Sequence, residues 1–511
     1  MPGSRKAAGA MPVAALRAEV ETFLSHCQEP VLIEPGEAAF TLGAEQYALT
    51  EKAEWLLLEA WDEARTLVRR VVGVSERRAA RMVLEVAKFG GKAGHVTLAD
   101  SGRAQAAPAL VRGSREVLRE LLKRWLARQY ARWTAVEATC GADLEHTLSP
   151  AFARGLVRLG ERRRVPLAAP RGSGDLALAF GLIWLDYVRR RERAAVEGLT
   201  LFLPEGEEAN TLARLPHLRV DVEVFRYDAQ GVEEVVDRED RGNLATRVEP
   251  WWEPPPEPQC EAEEWLRQLS LRPGVERVAA QPGEVSLRVH GLEFARYAGG
   301  VLRYGVDRKQ AAKSLGAVER LAAELARVRD ADGPERGHAW FSRNPEAWLE
   351  SRLRAAPEVL DAGLLHEPMY GQVPAFAGRD RGVLDLLGVR RDGRVCVVEV
   401  KASEDVQLPM QALDYWIRVA HHLEQGDLEK NGYFRGLALR REAPRLLLVA
   451  PALEFHPTTE VLLGFVKRHV EVERIGLGVE WQWTLRVVLR VEGARRPEWN
   501  GRDESAWQWD S

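Results

Sequence analysis

The sequence predicts a mixed α/β protein of several domains, with an α/β domain in the last third of the chain. Three observations predict this class. The chain has 511 residues, which exceeds the size of one ordinary domain. Its hydrophobic content of 46% is typical of globular proteins and supplies several cores. Beyond residue 344, apolar runs of strand length alternate with segments of helical periodicity, as in α/β domains.

Charge and cysteine content exclude several classes of protein. The net charge of -4 leaves no basic field over the whole chain, so any binding of nucleic acid must use local patches. The four cysteines are far apart and form no CxxC pair, which argues against a zinc site and against a disulfide framework. The chain has neither a signal-peptide pattern nor a run of 18 apolar residues. We therefore expect a cytoplasmic protein without a membrane partner.

Residues 1–110 are expected to form a mixed α/β domain. Short strands are predicted at residues 30–35 and 40–49, and amphipathic helices at residues 51–72 and 75–88. The glycine run at residues 89–94 lacks the GxxxxGK[ST] spacing of a phosphate-binding loop. A turn that ends the second helix is therefore favoured there.

Residues 111–250 are expected to contain a basic helical region and a small α/β unit. Between residues 112 and 193, seventeen Lys and Arg side chains stand against nine Asp and Glu, and aromatic side chains are interleaved with them. This pattern predicts either ordinary solvated helix faces or a surface that contacts nucleic-acid phosphates. A strand–helix–strand pattern follows at residues 198–227 and carries no catalytic constellation. For a phosphate-contacting surface, the candidate residues are Arg124, Arg128, Arg162, Arg163 and Arg164.

A linker and a small segment precede the last domain. Three consecutive prolines mark residues 251–260 as an extended, semi-rigid linker. Residues 261–338 are expected to form a helix, a three-stranded meander and an amphipathic helix at residues 309–329. This segment is either an adaptor packed on the following domain or a platform for a substrate.

Residues 339–492 are expected to form one α/β domain, followed by a flexible tail at residues 493–511. Its first helix is predicted to begin at Asn344, the N-cap, with Pro345 at the first helical position. Three strands, a helix, a strand, a helix and two strands follow, at residues 370–376, 383–389, 395–401, 410–423, 445–450, 458–469, 470–475 and 484–490.

The second and third of these strands are expected to form a hairpin around Asp392-Gly393, a strong turn signal. Side chains alternate between the faces of a strand, so Glu399 and Lys401 share one face. The opposite face carries Cys396, Val398 and Val400 and is apolar.

The length of the hairpin loop decides what faces Glu399. A two-residue turn would pair Asp385 with Val400, whereas a three-residue loop with Gly393 at positive φ pairs Asp385 with Glu399. Two like charges that face each other across neighbouring strands are destabilising unless a bound group compensates their repulsion. A divalent cation would compensate it, because carboxylate oxygens are ligands that Mg²⁺ accepts. We therefore expect the three-residue loop.

These residues resemble a known family. Asp385, thirteen intervening residues and then Glu399-x-Lys401 at the end of a hairpin resemble the PD-(D/E)XK nuclease superfamily. The residue before Asp385 is Leu384 rather than Pro, which is a common variation in that superfamily.

A second motif lies on the following helix. Gln411-x-x-x-Tyr415 resembles the QxxxY motif of the RecB-like branch of the superfamily. The resemblance covers residues 344–490. It implies a restriction-endonuclease-like αβββαβ core with a mixed central sheet, preceded by helical and small α/β domains.

The resemblance also implies a metal site. Asp385 and Glu399, the main-chain carbonyl of Val400 and a glutamate on the first helix would bind Mg²⁺ or Mn²⁺. Glu350 is the first candidate for that glutamate, and Glu346, one turn earlier, is the second. The ion would activate water and stabilise the charge that develops in phosphodiester hydrolysis.

The remaining motif residues would act beside the metal. Lys401 would orient the attacking water, and Gln411 and Tyr415 would position the metal-side loop or the nucleic-acid backbone. The implied activity is that of a metal-dependent nuclease, with DNA expected ahead of RNA, in DNA repair or in defence against foreign DNA.

Two alternatives stay open. The chain is a non-catalytic nucleic-acid-binding or scaffold protein on the same fold, or it is a nuclease that is gated by its N-terminal half. The sequence contains no helicase or NTPase loop. A motor, or another repair or defence protein, would therefore be a separate partner.

Overall fold

The computed structural model describes residues 12–27, 30–33, 40–42, 46–52, 55–61, 66–78, 81–87, 93–100, 107–143, 145–192, 195–239, 246–251, 258–281, 283–307, 309–330, 335–377 and 380–494. The chain divides into two compact units. Unit 1 comprises residues 1–208 and 221–237, and unit 2 comprises residues 209–220 and 238–511. The described ranges form ten α-helices and four β-sheets, so the predicted mixed α/β class is confirmed. No helix in those ranges is long and apolar enough to cross a membrane.

Unit 1 contains three helices and thirteen strands within the described ranges. The elements are α1 (Val13–Ser25), β1 (Pro30–Ile33), β2 (Phe40–Thr41), β3 (Tyr47–Lys52), β4 (Trp55–Trp61), β5 (Thr66–Arg78), β6 (Arg81–Ala87), β7 (Ala93–Asp100), α2 (Ala107–Gln129), β8 (Thr134–Thr139), β9 (Ala153–Leu159), β10 (Arg162–Ala168), α3 (Gly174–Glu192), β11 (Val196–Pro204), β12 (Asp221–Tyr227) and β13 (Glu233–Val235).

The first sheet of unit 1 is antiparallel and has the strand order β2-β1-β7-β6-β5-β4-β3. The helices predicted at residues 51–72 and 75–88 are wrong, because the described residues of these ranges belong to strands of this sheet. Leu56, Leu58 and Ala60 are buried and the residues between them are half-buried, which is the period of a strand. Leu57 on the other face is apolar as well, and this hides the alternation in the sequence.

The second sheet of unit 1 has the order β13-β12-β11-β10-β9-β8, and β10, β11 and β12 are parallel. The helical prediction for residues 112–193 is confirmed for α2 and α3, but residues 134–168 contain three strands. Trp125 of α2 stacks on Phe202 at 5.0 Å, and Gly181 of α3 lies against Leu199 on the other face of β11. The two helices therefore cover opposite faces of the sheet.

Unit 2 contains seven helices and twelve strands within the described ranges. The elements are α4 (Ala209–Arg214), β14 (Thr246–Val248), α5 (Glu261–Ser270), β15 (Val275–Gln281), β16 (Glu284–Val289), β17 (Leu292–Ala298), β18 (Val301–Tyr304), β19 (Gln310–Ala311), α6 (Leu315–Val328), α7 (Pro345–Ala355), β20 (Tyr370–Ala377), β21 (Asp380–Val389), β22 (Val395–Val400), α8 (Leu408–Gln425), α9 (Asp427–Lys430), β23 (Arg445–Pro451), α10 (Thr458–Gly464), β24 (Val472–Leu477) and β25 (Val487–Glu492).

A seven-stranded mixed sheet is the centre of unit 2, with the order β14-β20-β21-β22-β23-β24-β25. Strands β22, β23 and β24 are parallel, and the other pairs are antiparallel. The predicted order of a helix, three strands, a helix, a strand, a helix and two strands is found from α7 to β25, with the short helix α9 as an addition where a loop was expected. The edge strand β14 lies before the predicted domain start at residue 339 and nevertheless pairs with β20.

Helices cover both faces of this sheet. Cys396, Val398 and Val400 of β22 pack in one core with Trp348 and Leu349 of α7. Alternate residues of β22 point to the opposite face, where α8 contacts β22 and β23. The parallel strands are apolar along their length because both of their faces are covered.

A smaller five-stranded sheet, β15-β16-β17-β18-β19, packs with α5 and α6 in the rest of unit 2. The predicted meander is confirmed, and β15 and β19 are additions to it. The predicted helix at residues 309–329 begins later, at Leu315.

Parts of several predictions lie outside the described residues. They include residues 89–92 of the glycine run, 252–257 of the linker, 495–511 of the tail and the first eleven residues. The glycine run joins β6 to β7, which are antiparallel neighbours. The expected turn that ends a helix is therefore wrong, because a strand precedes the run.

The β21–β22 hairpin yields a test of its loop. Gly393 has φ +85°, and a Cβ there would lie 2.4 Å from the carbonyl oxygen of Ala438. Gly393→Ala should destabilise the hairpin by about 2–3 kcal/mol, from backbone strain and this clash. Hydrogen exchange of the amides of β21 and β22 measures the loss.

Gly436→Ala is the matched control. Gly436 has φ +79° but open space around the position of a Cβ. The control should therefore lose only the strain, about 1 kcal/mol. Equal losses in the two variants would contradict the close packing of the loop.

Candidate metal and catalytic site

The hairpin has the predicted register. β21 and β22 pair Leu386 with Val398 and Gly388 with Cys396, and one further step places Asp385 opposite Glu399. The loop contains three residues, since the N–H of Arg390 donates to the carbonyl of Arg394 at 2.9 Å. The three-residue loop with a glycine at positive φ, and the facing carboxylates, are confirmed.

The strand ladder ends where the two carboxylates meet. The N–H of Val400 donates to Oδ2 of Asp385 at 2.9 Å, where the ladder would have offered a main-chain carbonyl. On the other side of β22, the N–H of Lys401 donates to the carbonyl of Val449 at 2.9 Å. The carboxylate of Asp385 is thereby fixed at the carboxyl end of β22, where β21 and β22 separate.

Burial makes both carboxylates poor places for a negative charge. Glu399 is 2% exposed, and burial, with the charge of Asp385 added, raises its pKa well above the usual value. Burial also raises the pKa of Asp385 to about 6, against the hydrogen bond from Val400 and the charge of Lys401. Near neutral pH, the protein therefore supplies too little positive charge to stabilise both carboxylates in their ionised form.

The oxygen atoms present fit a hard divalent cation. Oε2 of Glu399 is buried and has no hydrogen-bond partner, which is costly for a carboxylate unless a cation occupies the site. Asp385, Glu399 and the main-chain carbonyl of Val400 are oxygen donors of the kind that Mg²⁺ takes. Among the described residues, no three His, Cys, Asp or Glu side chains are close enough to form a metal centre alone.

Lys401 lies among three carboxylates. Its Nζ is 3.6 Å from Oε1 of Glu399, 3.9 Å from Oε2 of Glu346 and 4.0 Å from Oδ2 of Asp405. Burial lowers the pKa of Lys401, but the surrounding carboxylates outweigh burial and raise it above the usual value. Lys401 is therefore a charged hydrogen-bond donor and does not serve as a proton acceptor near neutral pH.

Helix α7 brings two glutamates to the site. Glu350 is 3% exposed, and Gln372 of β20 donates to its Oε2 at 2.6 Å. Burial raises the pKa of Glu350 to about 7, and the nearby charge of Asp385 contributes to the rise. Glu346 is exposed and lies 3.9 Å from Nζ of Lys401. Its charge also helps to raise the pKa values of Asp385 and Glu399. Both glutamates of α7 are therefore near the carboxylate pair, and Glu346 is also near the lysine.

The smaller sheet of unit 2 supports α7. Glu276 of β15 accepts hydrogen bonds from Ser351 at 2.6 Å and from Arg354 at 2.8 Å. Arg329, at the end of α6, is fully buried and donates to the carbonyl of Trp340 at 2.8 Å, and its guanidinium lies 4.7 Å from the ring centre of Trp348. These contacts fix the helix that carries both glutamates.

Helix α8 brings Gln411 and Tyr415 to the opposite side of the cluster. Oε1 of Gln411 is buried and has no hydrogen-bond partner. Burial raises the pKa of Tyr415, and the charges of Glu399 and Asp385 add to the rise. The phenol of Tyr415 is therefore a protonated donor close to both carboxylates.

Two residues of this cluster were missed from the sequence. Asp405 contacts Lys401 and also accepts the N–H of Gln407 at 2.7 Å, at the start of α8. Its position four residues after Lys401 in the sequence is only a weak indication that Asp405 lies near that lysine. Gln372, by contrast, meets Glu350 only through the packing of β20 on α7, and nothing in the sequence indicates this contact.

The five arginines predicted for phosphate contacts belong to unit 1, whereas the carboxylate cluster belongs to unit 2. Arg164 is 5% exposed and is held by Thr200 at 2.8 Å and Asp221 at 2.6 Å. It therefore cannot contact a phosphate on the surface, and its inclusion in that set is wrong. The sequence does not distinguish an arginine that is buried with carboxylates from one on the surface.

The other four arginines are less buried. Arg128 pairs with Glu233, Arg162 pairs with Glu197 at 2.5 Å and Arg163 pairs with Glu192 at 3.4 Å. Arg124 is exposed. The carboxylates reduce the positive charge that three of these side chains would offer to nucleic acid.

A cleft of about 930 Å³ lies at the opposite end of β22 from Lys401. Its walls include the hairpin loop and the first residues of β23 and β24. Arg394 pairs with Glu471 at 2.8 Å and Arg445 pairs with Glu473 at 2.7 Å within it. The cleft therefore lies apart from the facing carboxylates.

Comparison with protein-family models gives no match to this chain, and comparison with curated proteins gives no significant match.

The raised pKa of Asp385 gives a stability prediction for the metal-free protein. Between its ordinary value of 3.8 and about 6, the folded protein holds a proton that the unfolded chain releases. Stability therefore falls as pH rises through this range, and the cost is fully present above pH 7. Asp385→Asn should stabilise the protein in EDTA by about 2–3 kcal/mol at pH 8 and by much less at pH 4. Thermal unfolding at the two pH values measures the difference.

Asp392→Asn is the control. Asp392 is an exposed carboxylate whose pKa is lowered by the hydrogen bond from the N–H of Arg394 and by Arg390. Its replacement should give no gain at pH 8. A loss of stability in Asp385→Asn at pH 8 would show that the carboxylate is not held at a cost.

Proposed function

We propose that this protein is a metal-dependent nuclease that hydrolyses phosphodiester bonds at the Asp385–Glu399–Lys401 cluster. The observation that carries the proposal is the pair of facing carboxylates, in which Glu399 is 2% exposed and its Oε2 has no hydrogen-bond partner. A charged lysine lies beside the pair. A fold retains such an arrangement at a cost in stability, which is typical of functional sites.

The proposed cofactor is Mg²⁺ or Mn²⁺. Asp385, Glu399 and the carbonyl of Val400 would hold it, with Glu350 as the fourth candidate ligand. When bound, the ion supplies Lewis-acid stabilisation of charge on a phosphoryl oxygen and a more acidic water. Glu350 serves this role only above its pKa of about 7 or when the cation draws off its proton.

The side chains around the cation have separate roles. Lys401 remains charged because of its carboxylate neighbours, so it donates hydrogen bonds to the attacking water or to a phosphate oxygen. Asp405 and Glu346 hold its ammonium in place. Tyr415 and Gln411 present a protonated hydroxyl and an amide to the same region. They are suited to orienting the phosphate backbone.

The substrate is a nucleic acid, with DNA expected ahead of RNA. Labelled single- and double-stranded DNA and RNA, incubated with Mg²⁺, Mn²⁺ or EDTA, test both the activity and the substrate. Cleavage should require the metal and should weaken towards acidic pH, because protons compete for Asp385 and Glu399.

Substitutions at the cluster should separate chemistry from folding. Asp385→Asn and Lys401→Ala should each reduce metal-dependent cleavage by at least about 100-fold, since each removes charge from the reacting centre. Lys467→Ala is the matched control, because this half-exposed lysine lies in the cleft at the other end of the sheet. Circular dichroism checks that the variants are folded. Cleavage at the wild-type rate by either cluster variant would exclude the assignment.

A non-catalytic nucleic-acid-binding protein is the second candidate. The absence of three coordinating side chains within reach of one another, in the described ranges, favours it. The same assay distinguishes the two, because the second candidate binds nucleic acid without metal-dependent cleavage.

A further inference from the structure

A short segment outside the predicted nuclease-like domain is part of unit 2. Residues 209–220 connect β11 to β12, which are parallel neighbours in unit 1. The helix of such a crossover ordinarily packs on the sheet of its own two strands. Here α4, which begins this segment, lies against α8 of unit 2. The chain leaves unit 1 after Glu208 and returns to it at Asp221.

Main-chain hydrogen bonds anchor the second half of the segment next to α10. The N–H of Arg219 donates to the carbonyl of Phe465 at 2.8 Å, and the N–H of Lys467 donates to the carbonyl of His217 at 2.8 Å. Leu218 and Val466 form an isolated antiparallel bridge between these bonds. Residues 217–219 therefore pair with residues 465–467 of unit 2 in the manner of two short antiparallel strands.

A buried ion pair anchors the first half of the segment on α8. Nε of Arg214 donates to Oδ1 of Asp414 at 2.7 Å, and its Nη2 donates to Oδ2 at 2.6 Å. Arg214 is 2% exposed. A planar, bidentate pair of this kind fixes orientation as well as distance. Removal of one partner leaves a buried charge on the other.

Asp414 lies between the two motif residues of α8. It follows Gln411 by three residues and directly precedes Tyr415. A small rotation or shift of α8 at Asp414 therefore moves both side chains relative to Glu399 and Asp385.

We propose that Arg214 is a positioning residue for the candidate site, and that residues 209–220 hold α8 so that Gln411 and Tyr415 face the carboxylate pair. This inference rests on the proposed function.

Three variants test the role of Arg214. Arg214→Gln removes the bidentate pair, and Arg214→Lys keeps the charge without the fork. Arg267→Gln is the matched control, because Arg267 pairs with Glu264 at 2.6 Å on an exposed helix surface of unit 2. Hydrogen exchange of the α8 amides reports on positioning without any need for activity. Cleavage kinetics with an oligonucleotide report kcat and KM separately.

The expected result is a graded local effect. Amides of α8 in Arg214→Gln should exchange at least about 10-fold faster than in the wild type, and kcat should fall about 10- to 100-fold with KM within about twofold. Arg214→Lys should be intermediate in both measurements, and Arg267→Gln should match the wild type. Wild-type exchange of α8 in Arg214→Gln would overturn the inference.

A double variant covers the case in which Arg214→Gln does not fold. Arg214→Met with Asp414→Leu removes the pair without leaving a buried charge, and such replacements are often tolerated. It should fold and still show faster exchange of α8 and a lower kcat. Wild-type values in both would overturn the inference. If the wild-type protein cleaves no nucleic acid, the proposed function fails, while the exchange result still decides whether Arg214 positions α8.

Discussion

The facing of Asp385 and Glu399 across the β21–β22 hairpin is the constraint on which the rest of the site depends. It follows from a loop of three residues, which Gly393 permits at φ +85° beside the carbonyl of Ala438. A loop one residue shorter would shift the pairing of β21 with β22 by one residue. Asp385 and Glu399 would then lie on opposite faces of the sheet. The pairing places two negative charges where burial makes them costly, and the hydrogen bond from Val400 fixes one of them.

The surrounding elements are arranged to serve this pair. Helix α7 brings glutamates to one side and is held by the smaller sheet through Glu276 and Arg329. Helix α8 brings Gln411 and Tyr415 to the other side and is held by Arg214. Lys401 balances part of the negative charge, but it is shared among three carboxylates. A divalent cation would complete the balance, and this requirement connects the electrostatics of the site to the proposed chemistry.

Elements were predicted correctly from the sequence where a local pattern fits only one kind of element. The prediction was wrong where the same residues fit both a helix and a strand. The elements from α7 to β25 were predicted in order except for the short helix α9, because buried parallel strands are apolar runs with clear ends. In unit 1, Leu56, Leu57 and Leu58 read equally well as one turn of a helix, and only the sheet shows which of them faces the core. Arg162, Arg163 and Arg164 read as one basic patch, although strand alternation and the partners Thr200 and Asp221 bury the last of them.

By itself, the sequence determined the α/β class of the last third and limited the hairpin to two registers, of which the one that pairs Asp385 with Glu399 was favoured as a metal site. It did so because side-chain alternation and the glycine of a hairpin loop act over a few residues. Only the tertiary structure decided that Glu346 lies beside Lys401, that Gln372 bonds Glu350, and that Arg214 bonds Asp414. These contacts join residues far apart in the chain, such as 200 positions for Arg214 and Asp414. Their partners are selected by the packing of whole elements, which no local pattern encodes.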